Sequence, residues 1–135
     1  MAESERLPMS DAEQAVLKVL WDHGPMGVRD VLAKFIEAGQ DWSRSTAITL
    51  LQRLEKKGYV TCDKSQRAFV FKPTVSREQQ MQSRMKEVAT DLCDGEALPL
   101  VLAFAQQHRF SADELARFRE MIESIKPKSK KRGGK

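Results

Sequence analysis

The stretch from Trp42 to Gly58, WSRSTAITLLQRLEKKG, constrains this chain more than any other. It reads as a single helix with both of its ends encoded. Ser43 is placed to cap the start, because its hydroxyl can accept a bond from an N–H of the first turn that has no helical partner. Gly58 supplies the left-handed residue that stops the helix, and Lys56 and Lys57 suit the negative end of its dipole. Between the caps, Ala47, Leu50, Leu51 and Leu54 recur at helical spacing and form an apolar stripe. The opposite face carries Ser45, Ile48, Thr49 and Gln52. Glu55 is the one acid in the helix and lies near its far end. A merely solvated face mixes both signs of charge. A face of short hydroxyls and one amide is suited to approach base edges, so the stretch predicts a recognition helix.

The segments on either side agree with that. Ser10-Asp11-Ala12-Glu13 has the spacing of a capping box, and the helix it opens runs to about His23. Ala12, Val16, Val19 and Leu20 form its stripe, widened by Leu17 and Trp21, and Gly24-Pro25 ends it. Residues 1–9 carry no such pattern and are expected to be loosely packed. A second helix is expected from about Val28 to Ala38, with Val31, Leu32, Phe35 and Ile36 apolar and Gly39 as its stop. Three short helices, the last two joined by a short turn, match a helix-turn-helix. Trp42 reads as a core plug beneath that turn.

After Gly58 the period changes. Tyr59 to Cys62 and Ala68 to Lys72 read as strands, Asp63 to Arg67 as the turn between them, and Pro73 as the stop. A β-hairpin directly after a recognition helix makes a winged helix, with Lys64 and Arg67 at the wing tip. Residues 43–72 hold seven basic residues against two acids, the electrostatic footprint of phosphate contact. The basic balance of the whole chain is weaker support. Five of its cationic residues lie in the tail 127–135, PKSKKRGGK, which is expected to be disordered.

Residues 76–126 read as a helical unit. A first helix, about Ser76 to Cys93, has a narrow seam of Met81, Met85, Val88 and Leu92 at coiled-coil-like spacing. A second, about Glu96 to Gln107, carries an apolar run with Leu98, Val101, Leu102 and Phe104. Pro99 is tolerated only in its first turn. A third, about Ser111 to Ile125, repeats the capping-box pattern and has a stripe of Leu115, Phe118, Ile122 and Ile125. About fifty residues cannot bury these stripes well alone. A homodimer would cover them, and would set two recognition helices about 34–36 Å apart, one turn of a palindromic duplex. The expected organisation is therefore a winged-helix domain over 1–75, a helical dimerisation domain over 76–126 and a basic tail.

Other classes of function find little in the residues. His23, His108, Cys62 and Cys93 are scattered, with no catalytic arrangement, metal spacing or glycine-rich phosphate loop. No enzyme, cofactor or metal is expected. Cys62 and Cys93 stand alone as ordinary reduced thiols, and neither a signal peptide nor a membrane span is legible. These point to a cytoplasmic protein.

The anchors SDAEQAVLKVLW (Ser10 to Trp21), WSRSTAITLLQRLEKKGYV (Trp42 to Val60) and FVFKP resemble the BlaI/MecI penicillinase-repressor family of bacterial transcription regulators. The resemblance runs from about Met9 to Ile125. Thr46, Thr49, Leu51, Arg53, Leu54, Lys57 and Gly58 are its family-like residues in the second anchor. It implies a dimeric repressor with an N-terminal winged helix, bound to inverted-repeat operators often of the form TACA…TGTA. Ser45 departs from the family, standing where such repressors often carry Lys, and so does Ile48, at a commonly polar position. The resemblance also implies induction by a sensor protease that triggers cleavage of an Asn-Phe bond. The matching bond here is Ala103–Phe104, with Ala in place of Asn. The cysteine cluster of copper-responsive relatives has no counterpart in this chain.

Together these readings assign base contacts to Ser45, Ile48, Thr49 and Gln52, with Arg44 flanking them and open to either base or phosphate contact. An apolar Ile48 suits a thymine methyl and Gln52 suits adenine. Ser43, Thr46, Arg53, Lys56, Lys64 and Arg67 are assigned to phosphates, which set affinity rather than specificity. Arg53 stays open between that role and an ion pair with an acid of the first helices. Two rival functions remain: a winged-helix regulator released by a small effector, and a winged helix used for protein–protein assembly.

Overall fold

The computed structural model describes residues 6–127. The expected basic tail therefore lies outside the described residues, apart from its first position. The described chain is mainly α with one small hairpin, and it divides into two compact units between Val88 and Ala89.

In the first unit, α1 (Asp11–His23), α2 (Val28–Glu37) and α3 (Arg44–Lys57) precede β1 (Val60–Asp63) and β2 (Val70–Pro73). Local chemistry sets the ends of these elements. The Ser10 hydroxyl accepts from the Glu13 N–H at 3.1 Å while the Glu13 carboxylate accepts from the Ser10 N–H at 2.9 Å, which closes the capping box. Ser43 caps α3 by accepting from the Thr46 N–H, and Gly58 ends it in the left-handed conformation with φ +89°.

The core draws on every element. Val16, Leu17 and Leu20 of α1 meet Val31 and Phe35 of α2, Leu50, Leu51 and Leu54 of α3, and Val60 and Phe71 of the hairpin. Leu17 is wholly buried, so it is central to the α1 stripe rather than a widening of it, and Val19 lies only partly covered beside it. Ile36, expected on the buried face of α2, is 56% exposed. The helix is short enough that Val31 and Phe35 satisfy the contact with α3. Trp42 stacks on Phe35 with ring centroids 4.0 Å apart, which makes it the plug under the turn.

The hairpin pairs Val60 with Pro73, Thr61 with Lys72, Cys62 with Phe71 and Asp63 with Val70. It is shifted by about one residue toward the tip on β1, and β2 starts two residues later than the sequence pattern suggests. The cause lies in the turn and in α2. The Asp63 carboxylate accepts from both the N–H and the hydroxyl of Ser65, an Asx turn that starts the reversal there. Met26, before α2, exchanges backbone bonds of 2.9 and 3.1 Å with Phe71, so the hairpin is anchored at Phe71 rather than at its tip.

The segment before α1 departs from expectation. Residues 6–9 are tied to the end of α3 rather than loose. Arg6 Nε donates to the Gly58 carbonyl at 3.0 Å, the Tyr59 hydroxyl to that of Leu7 at 2.7 Å, and Lys57 Nζ to that of Pro8 at 2.9 Å. Arg6 also lies over the Tyr59 ring. Beyond the hairpin, α4 (Arg77–Cys93) begins in the same unit. Trp21 Nε1 donates to the Val75 carbonyl at 2.9 Å, and Arg77 pairs with Asp22 at 2.6 Å.

The second unit holds the end of α4, then α5 (Leu98–Gln107) and α6 (Ala112–Ser124). Pro99 falls in the first turn of α5, and Ser111 and Glu114 close a capping box at the start of α6. His108 caps α5 and stacks on Phe104 at 5.3 Å, then meets Phe110 edge-on at 4.6 Å. Neither α5 nor α6 buries any residue.

Candidate nucleic-acid interface

The apolar stripe of α3 faces inward as four buried residues, Ala47, Leu50, Leu51 and Leu54. Helical geometry then turns Ser45, Thr49 and Gln52 outward, and all three are exposed, as are Arg44, Thr46, Arg53 and Lys56. Ser43 has no free hydroxyl. It accepts from the Thr46 N–H and lies 3.0 Å from both the Ser45 and Thr46 hydroxyls, so it serves the helix first.

Between α3, the start of α2 and the wing lies an open cleft of about 850 Å³. Arg44, Ile48 and Gln52 of α3 line one wall and Arg67 of the wing lines another. Ile48 is half-buried at this wall, which explains an apolar residue on an otherwise polar face. Ser45, Thr49, Lys56 and Lys64 lie outside the lining. Lys64 sits at the exposed wing tip with its ammonium 5.6 Å from the centre of the Phe69 ring.

The acid of the first helices does take a cation of α3, but that cation is Lys57. Lys57 Nζ lies 2.6 Å from Glu13 Oε1, and the Glu13 side chain is 2% exposed. Burial pushes the Glu13 carboxyl up. The hydrogen bonds from Lys57 and the Ser10 N–H, with the charges of Lys57 and Arg53, outweigh it and hold the carboxyl below its usual range. Arg53 therefore contributes charge at a distance while staying exposed, with no ion-pair partner among the described residues.

Two residues at the cleft were not singled out from the sequence. Arg29, in the first turn of α2, and Phe69, half exposed on the wing, both line it. Arg29 carries a detectable signal, since a cation in a first turn opposes the helix dipole. Phe69 had none, because it continues the alternation of Phe71 as a core residue would.

Three helices, a hairpin pinned to the start of the second, and an outward polar face on the third define a winged helix-turn-helix protein. The chain belongs to the penicillinase repressor family, whose model matches residues 9–124. It is a family of repressors, not of enzymes. The chain is 29% identical over 122 residues to the penicillinase repressor of Bacillus licheniformis, covering 90% of this chain and 94% of that one. It is 26% identical over 114 residues to the methicillin resistance regulatory protein MecI of Mammaliicoccus sciuri, covering 84% and 92%. Among solved structures, the monomeric form of Bacillus licheniformis BlaI in complex with the blaP half-operator is 33% identical, covers 56% of this chain and 90% of that one, and has a TM-score of 0.48.

No helix among the described residues is long and apolar enough to cross a membrane, and no group of His, Cys, Asp or Glu there is arranged to hold a metal ion.

Proposed function

We propose that this chain is a sequence-specific transcriptional repressor that binds an inverted-repeat operator in the cytoplasm as a homodimer. The observation that carries the reading is the convergence of Arg44, Ile48, Gln52 and Arg67 on one cleft beside the acid-poor face of α3. Membership of a repressor family supports it. Ser45, Ile48, Thr49 and Gln52 read bases. Arg44, Thr46, Arg53, Lys56, Lys64 and Arg67 hold phosphates, and Ser43 orders the first turn that presents them.

Dimerisation over 76–126 has its own support. Leu98, Leu102 and Phe104 of α5 and Leu115 and Ile122 of α6 are between 44% and 64% exposed. Met81, Met85, Val88 and Leu92 of the α4 seam are exposed as well, as is Val101 of α5, and Phe118 of α6 is half-buried. Large apolar side chains exposed in such number within each unit are rarely left in water. Release of the repressor by a sensor protease acting at Ala103–Phe104 belongs to the same reading, both residues being exposed. Mass spectrometry of the protein recovered after induction tests it, since an uncut chain would point to another inducer.

The central test is binding to a fluorescent duplex with a TACA…TGTA repeat and to a scrambled duplex, across a salt series. Preference for the repeat, two chains per duplex and a steep salt slope are expected. No binding to either duplex at low salt would move the protein-assembly reading to first place.

A further inference from the structure

Arg29 and Phe69 have no part in the recognition scheme above, yet both line its cleft. Arg29 lies in the first turn of α2, where the positive end of the helix disfavours a cation. It is exposed, and no ion pair among the described residues engages it. Phe69 is 50% exposed at the wing, with the Lys64 ammonium 5.6 Å from the centre of its ring.

Backbone packing holds these two residues together. A Cβ on Gly27 would lie 2.8 Å from the Phe69 carbonyl oxygen, so only glycine lets α2 begin this close to the wing. The Met26–Phe71 backbone pair fixes the same approach. As a result Arg29 from α2, Arg44 from α3 and Arg67 from the wing share one cleft, with Ile48, Phe69 and Val70 among its apolar lining. Asp30 is the one acid there. It lies in the first turn of α2, where the helix dipole favours it.

We infer that the part of this cleft between α2 and the wing receives one sugar–phosphate strand of the duplex, with Arg29, Arg44 and Arg67 around its phosphate and Phe69 against deoxyribose, while Ile48 and Gln52 on the α3 wall stay with the bases. The inference rests on the DNA-binding reading above. Its warrant is complementarity. A nucleic-acid strand alternates anionic phosphate with a weakly polar sugar, and the cleft offers guanidinium groups beside apolar walls. The placement also fits the motif, whose first helix crosses the backbone while its second enters the groove. Arg29 is thus an affinity residue, blind to sequence, and Phe69 adds contact that salt does not screen.

The experiment uses the full chain, the repeat and scrambled duplexes and a salt series. Arg29→Ala is expected to weaken both duplexes alike, by about threefold to tenfold, and to lower the salt slope by about 0.9. Phe69→Ser should weaken binding with the slope unchanged. Lys18→Ala removes the same charge from the exposed face of α1 and should leave the slope alone. Thermal melts establish that each variant is folded. Wild-type protein that lacks salt-dependent binding would sink the DNA reading itself. Wild-type binding with Arg29→Ala and Phe69→Ser indistinguishable from it would overturn this inference alone, as would an equal loss in Lys18→Ala. Capture of an acidic peptide in place of DNA, abolished by Arg29→Ala, would also overturn it.

Discussion

Lys57 and Glu13 form a 2.6 Å ion pair that joins the last turn of α3 to the first turn of α1. The same Glu13 oxygen accepts from the Ser10 N–H, so one carboxylate closes a capping box and anchors the recognition helix. Lys57 also donates to the Pro8 carbonyl. Its charge is spent inside the protein, while its neighbour Lys56 stays exposed.

Lys57→Met should therefore destabilise the fold by about 2–4 kcal/mol, because it leaves a buried carboxylate unpaired. Urea denaturation measures this. A loss below about 0.5 kcal/mol would mean that the pair behaves as a solvated one. Lys56→Ala should leave stability unchanged and weaken DNA binding.

The pair also predicts an acid-side dependence. Glu13 is held below its usual range when folded, so the unfolded chain takes up its proton first. Its contribution is complete above the ordinary glutamate value, about 4.3, and is lost as pH falls through the lowered folded value. Asp22 and Asp63 are also held low, by hydrogen bonds from Arg77 and Ser65, and titrate alike in wild type and variant. Urea midpoints should thus fall more steeply on acidification in wild type than in Glu13→Gln. Parallel curves would remove Glu13 as the cause.

Gly27→Ala tests the seat of the wing. The φ of Gly27 is −93°, so the backbone tolerates alanine, but the new methyl would sit 2.8 Å from a backbone oxygen of Phe69. The wing must shift, at a cost of about 1–2 kcal/mol in stability. DNA affinity should fall with it. An unchanged melting temperature would show that the wing moves freely.

Gln52→Ala and Lys64→Ala should separate specificity from affinity. The first is expected to relax preference at one operator position, costing about 1–3 kcal/mol of discrimination. The second should weaken all sequences and reduce the salt slope by about 1. Binding selection from a randomised half-site library distinguishes them, and equal effects on cognate and random duplexes from both would refute the division.

Phe104→Asp probes the apolar surface of α5. The side chain is 61% exposed, so the isolated chain has little to lose by the change. Sedimentation should read one chain where wild type reads two, with weaker operator binding. An unchanged two-chain mass would place the interface elsewhere.

Local chemistry along the chain determined most of the elements. Ser10 with Glu13, Ser43 with Gly58, and Ser111 with Glu114 act within four residues or at a single backbone position, so helix ends were legible without a fold. The α3 stripe was legible for the same reason, since periodicity alone puts Leu50, Leu51 and Leu54 on one side. Tertiary structure decided which partner each side chain received. Arg53 and Lys57 stand four apart on one face of α3, and helical spacing makes them equivalent candidates for an acid of α1. Only the docking of α1 beside the last turn gives Glu13 to Lys57 and leaves Arg53 to solvent. The cleft is the stronger case. Arg29, Ile48 and Phe69 lie some twenty residues apart in sequence, and their meeting depends on the Met26–Phe71 pairing and on the absence of a side chain at Gly27. No local pattern encodes such a convergence, because it arises from backbone approach between elements rather than from the preference of any one of them.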